Sequence, residues 1–420
     1  MDMKIFSQRK MFFSVAAIGT FLFSLTFLFQ NCAPMEATKD GAFSDLSSID
    51  QGGEVLPPEP SALATAVVVG DQHKCAVVMG GVRCWGSNQY GQIGNGGPTG
   101  FGAYQDVPAL VTGLESGVEA LAIDAGEAST CAIKGGNVYC WGRKGPAANN
   151  AAFDATPVVI QGLPNGVVES ISVGSTHACA AAGGVGYCWG DNTYSQLGVA
   201  PGMASVTTAA PIVTTDPIES VSAIWEHTCY VTKTEGLLNC WGRNHKFQVG
   251  TNSNALVIPT PQRIPTQAVR SVSGGEGHTC FHVNARVQCW GENLDGQMGS
   301  GAFSAATRRT GESIAGLTAV TSLFTGRNHS CAIHNSSLKC WGRGSNGQLA
   351  TGLVANAAAP ADATAFLPGV LSVGLGSTST CAVHADGRVR CVGQNVKGLF
   401  QNNTLGDSLT PVAVYFQPSP

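Results

Sequence analysis

The chain has 420 residues, 54 of them glycine and 15 cysteine, with 12% charged residues where an average globular chain carries about 25%. Glycine at nearly twice its usual ~7% share, without a G-X-Y period, excludes collagen and points to a turn-rich fold. A net charge of −4 supplies no basic stripe to displace counterions from phosphate, so nucleic acid is excluded as a partner. The apolar content likewise excludes a disordered chain.

Lys4, Arg9 and Lys10 precede residues 11–29, a run of 19 without a charge. A basic start followed by an apolar run is the outline of a secretory signal, and the run is also long enough to span a bilayer as an uncleaved anchor. Cys32 follows directly, where bacterial lipoprotein precursors carry the cysteine that is lipidated. The resemblance departs from their pattern at Phe29-Gln30-Asn31, where they place Leu, a small residue and Gly or Ala. The expectation is a lipoprotein-type signal peptide over residues 1–31, acylation of Cys32 (palmitate) and a body held at the membrane of a bacterial cell envelope. A signal anchor or a freely secreted form exports the body too. Residues 33–61 are rich in Ser, Asp, Glu and Gly and end in Pro57-Pro58-Glu59-Pro60. With no periodicity to bury, residues 32–61 read as the lipidated N-terminus and a flexible linker, a docked N-terminal strand being the alternative.

The remaining cysteines fall into seven pairs: Cys75 and Cys84, Cys131 and Cys140, Cys179 and Cys188, Cys229 and Cys240, Cys280 and Cys289, Cys331 and Cys340, Cys381 and Cys391. Their first members are 56, 48, 50, 51, 51 and 50 residues apart, a period that signals a repeat architecture. In six repeats the second cysteine is followed by Trp-Gly, at Trp85, Trp141, Trp189, Trp241, Trp290 and Trp341; the seventh has Val392-Gly393. Where the pair is nine residues apart, a two-residue turn is centred on Met79-Gly80, Gly135-Gly136, Gly183-Gly184, Asn284-Ala285 or Asn335-Ser336, mostly residues that tolerate positive φ. The fourth loop lengthens around Thr234-Glu235, and the seventh uses Ala385-Asp386-Gly387. All keep each cysteine opposite its mate.

An apolar, β-branched run precedes each hairpin, joined by a bend glycine five residues before the first cysteine: Gly70, Gly126, Gly174, Gly275, Gly326 and Gly376, with Ile224 in the fourth repeat. A further strand follows, opened by Pro108, Pro157, Pro211, Pro261, Pro360 or Pro411, since proline suits the first residue of an edge strand. In the fifth interval only residues 307–313 can serve. Four short strands per period of about 50 residues, seven times over, predict an all-β, seven-bladed propeller over residues 62–420. A strand at 410–416 without a counterpart before the first hairpin favours a ring closed by that C-terminal strand over a solenoid, which needs polar caps.

The repeats resemble those of the regulator of chromosome condensation family. The resemblance is carried by Gly70-Asp71-Gln72-His73, by Trp85-Gly86 leading to Gly91-Gln92-Ile93-Gly94, and by Gly296-Gln297-Met298-Gly299 and Gly347-Gln348-Leu349. Ser195-Gln196-Leu197-Gly198 and Phe247-Gln248-Val249-Gly250 match it too; Gly398-Leu399-Phe400 is degraded, and the second repeat has residues 144–150 instead. The resemblance implies a propeller whose surface loops bind proteins. Its best-known member activates a small nuclear GTPase, and an exported bacterial relative covers the mouth of a β-lactamase. No wedge-like inserted hairpin is present here, so nucleotide exchange stays a remote alternative.

His73, His177, His227, His278 and His329 lie two residues before a cysteine and share its strand face. With the cysteine pair they invite a zinc reading, and free buried thiols are a further possibility. An oxidising envelope and a cross-hairpin placement favour disulfides, and Ser129 and Ser379 stand where two of the histidines should be. The histidines then read as structural hydrogen-bonders, with no metal and no cofactor. The Trp-Gly tryptophans read as core. Trp225, beside Glu226 in the bend without glycine, either anchors a partner or packs inward to compensate for Ile224. Arg143, Arg243 and Arg343 share one position after Trp-Gly and either line a ring-shaped surface or are solvated, as Arg308-Arg309 would be. No Gly-x-Ser-x-Gly, His-Glu-x-x-His or phosphate loop is present. The sequence therefore favours a non-catalytic binding module for an unidentified protein or envelope ligand. An envelope polysaccharide- or peptidoglycan-acting enzyme at the propeller mouth is the alternative.

Overall fold

The computed structural model describes residues 63–417 apart from 124–127, 144–152, 201, 204, 367, 396–399 and 401–405. The signal segment, Cys32, the tether, Gly126 and the loop after Arg143 lie outside the described residues. Residues 59–420 form a compact unit that holds every described strand and disulfide.

Among the described residues, twenty-eight strands make seven four-stranded antiparallel sheets, each from consecutive strands. The blades span residues 64–110, 118–159, 168–211, 218–263, 269–313, 320–362 and 370–414. The first strand of each blade faces a central channel of about 200 Å³, where Val68, Ser172, Ser222, Ser273 and Thr325 meet. The fourth strand is the outer edge. All five two-residue turns have both residues at positive φ, from Met79 (52°) and Gly80 (77°) to Asn335 (48°) and Ser336 (63°), the mirror-image turn that matches strand twist.

That turn geometry sets the hairpin register and places the cysteines opposite one another as the spacing suggested. Cys75 pairs with Cys84, Cys131 with Cys140, Cys179 with Cys188 and Cys229 with Cys240. Cys280 pairs with Cys289, Cys331 with Cys340 and Cys381 with Cys391. All seven disulfides are formed, with Cα atoms 4.0–4.1 Å apart, close to the ~4.5 Å of a non-hydrogen-bonded cross-strand pair.

The glycine of each Trp-Gly is needed for its backbone. At Gly242 φ is 105°, and a Cβ there would lie 2.7 Å from the His227 Cα and 2.9 Å from the Glu226 carbonyl oxygen. Opposite this glycine the outer strand bulges: Cys240 pairs with Gln262 but Gly242 with Ile258. The prolines do not open these strands, as the sequence suggested. Pro108, Pro157, Pro261, Pro360 and Pro411 sit inside the bulge, where the ladder is already interrupted and no N–H is required. Pro211 ends its strand.

The C-terminal strand Ser408–Val414 completes the seventh blade by pairing with Val389–Gly393. It does not add to the first blade, which already has its own outer strand, Tyr104–Leu110. The ring closes by packing: Val67, Val69 and Trp85 meet Val383, Val389 and Phe416 in one buried cluster. Trp85 and Phe416 are edge-on at 5.9 Å, and the Ala64 N–H donates to the Gly387 carbonyl at 2.9 Å.

Each disulfide closes a loop of about ten residues, which the chain-entropy account values at about 2–3 kcal/mol. The double variant with Cys331→Ala and Cys340→Ala is expected to lower the unfolding free energy by that amount in guanidinium titrations while the ring stays folded.

Candidate functional site

The described bends between the first and second strands of the blades, and the residue after each Trp-Gly or Val392-Gly393, lie on one face of the ring. Backbone bonds join the two: Ser87 to Gln72, Arg143 to Ala128, Asp191 to Thr176, Arg243 to Glu226, Glu292 to Gly277, Arg343 to Asn328 and Gln394 to Thr378, at 2.8–3.1 Å. Two concentric rings of side chains surround the channel mouth as a result. The inner ring holds Asp71, Ser175, Trp225, Glu276, Arg327 and Ser377; the outer holds Ser87, Arg143, Asp191, Arg243, Glu292, Arg343 and Gln394.

Blades three to six carry the chemistry. Trp225 is half-buried with φ 44°, and its carbonyl accepts from the Ser175 N–H (3.0 Å) and hydroxyl (3.1 Å). Ile224 takes the interior place, 3% exposed, so the indole need not fill it. The Arg327 guanidinium lies over the indole at 4.8 Å and is held by Glu276 at 2.8 Å. Glu226 pairs with Arg243, which also lies 4.9 Å from the Tyr194 ring. Lys246 pairs with Glu292.

Arg143, Arg243 and Arg343 do share one register on this face. Ser87, Asp191, Glu292 and Gln394 alternate with them, so the ring is mixed in charge and not basic. Arg143 lies 5.4 Å from the Tyr90 ring, and the exposed Arg343 donates to the Ser345 hydroxyl at 3.0 Å. Glu276, Arg327, Lys246 and Tyr194 were not singled out from the sequence. Their signal is positional: aligning the residue after each bend glycine puts Glu276 and Arg327 in register with Trp225.

The five histidines join blades. Nε2 of His73, His177, His227, His278 and His329 reaches the hydroxyl of Thr130, Thr228, Thr279, Ser330 and Thr380 in the following blade, at 2.7–3.0 Å. Thr228, Thr279 and Thr380 pass their own protons to the carbonyls of Gln196, Gln248 and Gln348 (2.6–2.8 Å), so the imidazole donates through Nε2–H. The indole N–H groups of Trp141, Trp290 and Trp341 donate to the corresponding Gln carbonyls of the preceding blade at 2.7–3.0 Å. Cysteines in disulfides and histidines in these bridges are spent on structure.

A family model for the Regulator of chromosome condensation (RCC1) repeat matches residues 80–133 and 235–282, the hairpins and bends just described. The chain therefore carries repeats of the regulator of chromosome condensation type. Over 248 residues this RCC1-repeat protein is 29% identical to the ultraviolet-B receptor UVR8 of Arabidopsis thaliana, across 56% of this chain and 54% of that one. The match thus spans about half the length of that relative. Among solved structures, Prp20p of Saccharomyces cerevisiae, studied for its binding to Gsp1p and histones, has a TM-score of 0.64 at 20% identity, covering 74% of this chain and 80% of that one. Human WBSCR16 has a TM-score of 0.67 at 17% identity, covering 79% and 93%. These likenesses establish the RCC1 fold.

Burial holds the bridging histidines neutral, lowering His73, His227 and His329 to about 3 and His177 and His278 to about 4. Their folded pKa values lie below the ordinary 6.5, so the stability they lend is complete above pH 6.5 and is lost as pH falls toward 3–4. Each uncompensated histidine is worth about 1.4 kcal/mol per pH unit in that window. His329→Gln is expected to be less stable at pH 7 but to show a pH slope between 6 and 4.5 shallower by about that amount, read from denaturant midpoints.

Proposed function

We propose that this RCC1 propeller is an exported, membrane-tethered binding module that engages another protein, or an envelope ligand, through the bend face of the ring without catalysing a reaction. The observation that carries the reading is Trp225 with Arg327 stacked on it and Glu276 behind. A half-buried indole under a guanidinium is a pairing typical of binding hot spots, and positive φ at a bulky residue is a strained conformation associated with function. The binding of Prp20p to Gsp1p and histones shows that a propeller of this fold can serve as a protein-binding surface. The basic start, apolar run and Cys32 support export and tethering, and the disulfides suit an oxidising compartment.

An enzyme at the mouth would require an unpaired carboxyl group poised as an acid beside a carboxylate. Among the described residues of this mouth, Glu226, Glu276 and Glu292 each face a cation and Asp191 accepts from Thr193, Gln196 and Ser205, which leaves Asp71 without a second unpaired carboxyl group and favours the binding reading.

Crosslinking on intact cells tests the proposal. Trp225→Ala is expected to reduce the specific crosslinked species at least tenfold, as loss of a hot spot costing about 2 kcal/mol or more requires. Lys134→Ala, on the opposite hairpin edge, is expected to leave it unchanged. Robust turnover of peptidoglycan or polysaccharide by the purified propeller would sink the reading.

A further inference from the structure

The seams between blades are not equivalent, and the second-to-third seam is the exception. Elsewhere a loop residue from one blade plugs the space beside the next: Ile93, Leu197, Val249, Met298, Leu349 and Phe400 are at most 1% exposed. An Asn five residues earlier secures most of them, as when the Asn192 side chain accepts the Leu197 N–H at 3.0 Å. Eight residues on from Trp141 the sequence has Asn149 where the other repeats have that apolar residue, and it lies outside the described residues. The bridge is missing as well. Ser129 replaces the histidine and turns back to the Arg143 carbonyl of its own blade at 2.6 Å, and Ala178 replaces the hydroxyl residue across from it. The seam between the seventh and first blades has also exchanged both partners, for Ser379 and Lys74, but there Lys74 fills the space under Phe400. Here nothing equivalent does among the described residues.

Where the bridge is missing, a cavity of about 420 Å³ lies between the two blades. Interiors are otherwise close-packed with few voids larger than a water molecule. The looseness shows independently in exposure. Trp189 is 7% exposed while Trp85, Trp241, Trp290 and Trp341 are at 0%. Cys140 is likewise less buried than the other disulfide cysteines. The walls are largely apolar, from Trp189, Val173, Ile160 and Val158, with Thr176 and Gln161 offering hydrogen bonds. Exposed Val158 and Val159 leave an approach from the outer edge. The volume is within the roughly 300–1,000 Å³ range of small-molecule sites, which share this mostly apolar lining with a few polar groups.

We propose that the seam between the second and third blades is a binding site for a neutral, flat, largely apolar small molecule carrying one or two hydrogen-bonding groups. The slot separates two sheet faces, which selects a flat shape. Its lining holds one cation and one anion, Arg143 and Asp154, which gives no preference for either charge. The site is distinct from the Trp225 mouth and independent of the reading of that face.

The test uses naphthalen-2-ol as probe and residues 59–420, the compact unit that holds every described strand and disulfide, so that no detergent competes for the probe. Tryptophan fluorescence and ligand-observed NMR are expected to show saturable binding of one molecule per chain. The double variant Ser129→His with Ala178→Thr restores the bridge found at the other seams and is expected to weaken binding at least tenfold. Ala178→Leu, which fills the slot without a new hydrogen bond, provides the same readout if the double variant fails to fold. Absence of saturable binding up to the solubility limit, or equal affinity in the wild type and a folded slot-filling variant, would overturn the proposal.

Discussion

A buried imidazole in one blade, a hydroxyl in the next and a backbone carbonyl of the first blade's loop form a three-group bridge that depends on register. His227 reaches Thr279, Thr279 returns to the Gln248 carbonyl, and Trp290 donates to that carbonyl as well. If the hairpin slipped by one residue, every side chain in it would change face. The paired positive-φ turns and the cross-strand disulfides hold that register, and the glycine of Trp-Gly lets the third strand pass against the bend. The low charge of the chain fits the same arrangement: second strands such as His227–Thr232 and His278–Val283 are buried at every position, and few charged side chains, Lys74, Arg83 and Arg390 among them, are buried in the strands.

The local parts of this structure were legible in the sequence because they are made by neighbours. Cys-to-Cys spacing and turn residues specify hairpins within about ten positions, and the seven disulfides, from Cys75 with Cys84 to Cys381 with Cys391, follow from them. Relations between elements were harder to read. The prolines looked like strand openers because the bulge that accommodates them depends on the positive φ of a glycine in another strand. The strand at 408–414 looked left over because the repeat was counted from its hairpins; counted from its inner strand, each blade is complete. The histidines were read as hydrogen-bonders, but their partners lie 51–57 residues away and appear only when one blade faces the next.

The same distinction bears on function. Six copies of a bend with glycine and one without draw attention to Trp225, which the sequence could single out. It could not show that Glu276 and Arg327, one and two blades on, would come to rest beside it. At the second-to-third seam the departures from the repeat are individually modest substitutions, Ser for His and Ala for Thr. They acquire meaning together, as the two halves of one missing bridge. In both places the ring is regular enough that a departure from it marks a surface or a space available for another molecule.

The proposal that unites fold and function is an oxidised, disulfide-pinned propeller held at the outside of a membrane by Cys32. Intact mass of the chain isolated from its native envelope, under non-reducing and then reducing conditions, tests it most directly. The account predicts an acylated N-terminus at Cys32 and a gain of fourteen hydrogens on reduction, two for each of the seven disulfides. A chain that retains residues 1–31, carries no acyl mass and shows its thiols free before reduction would contradict it.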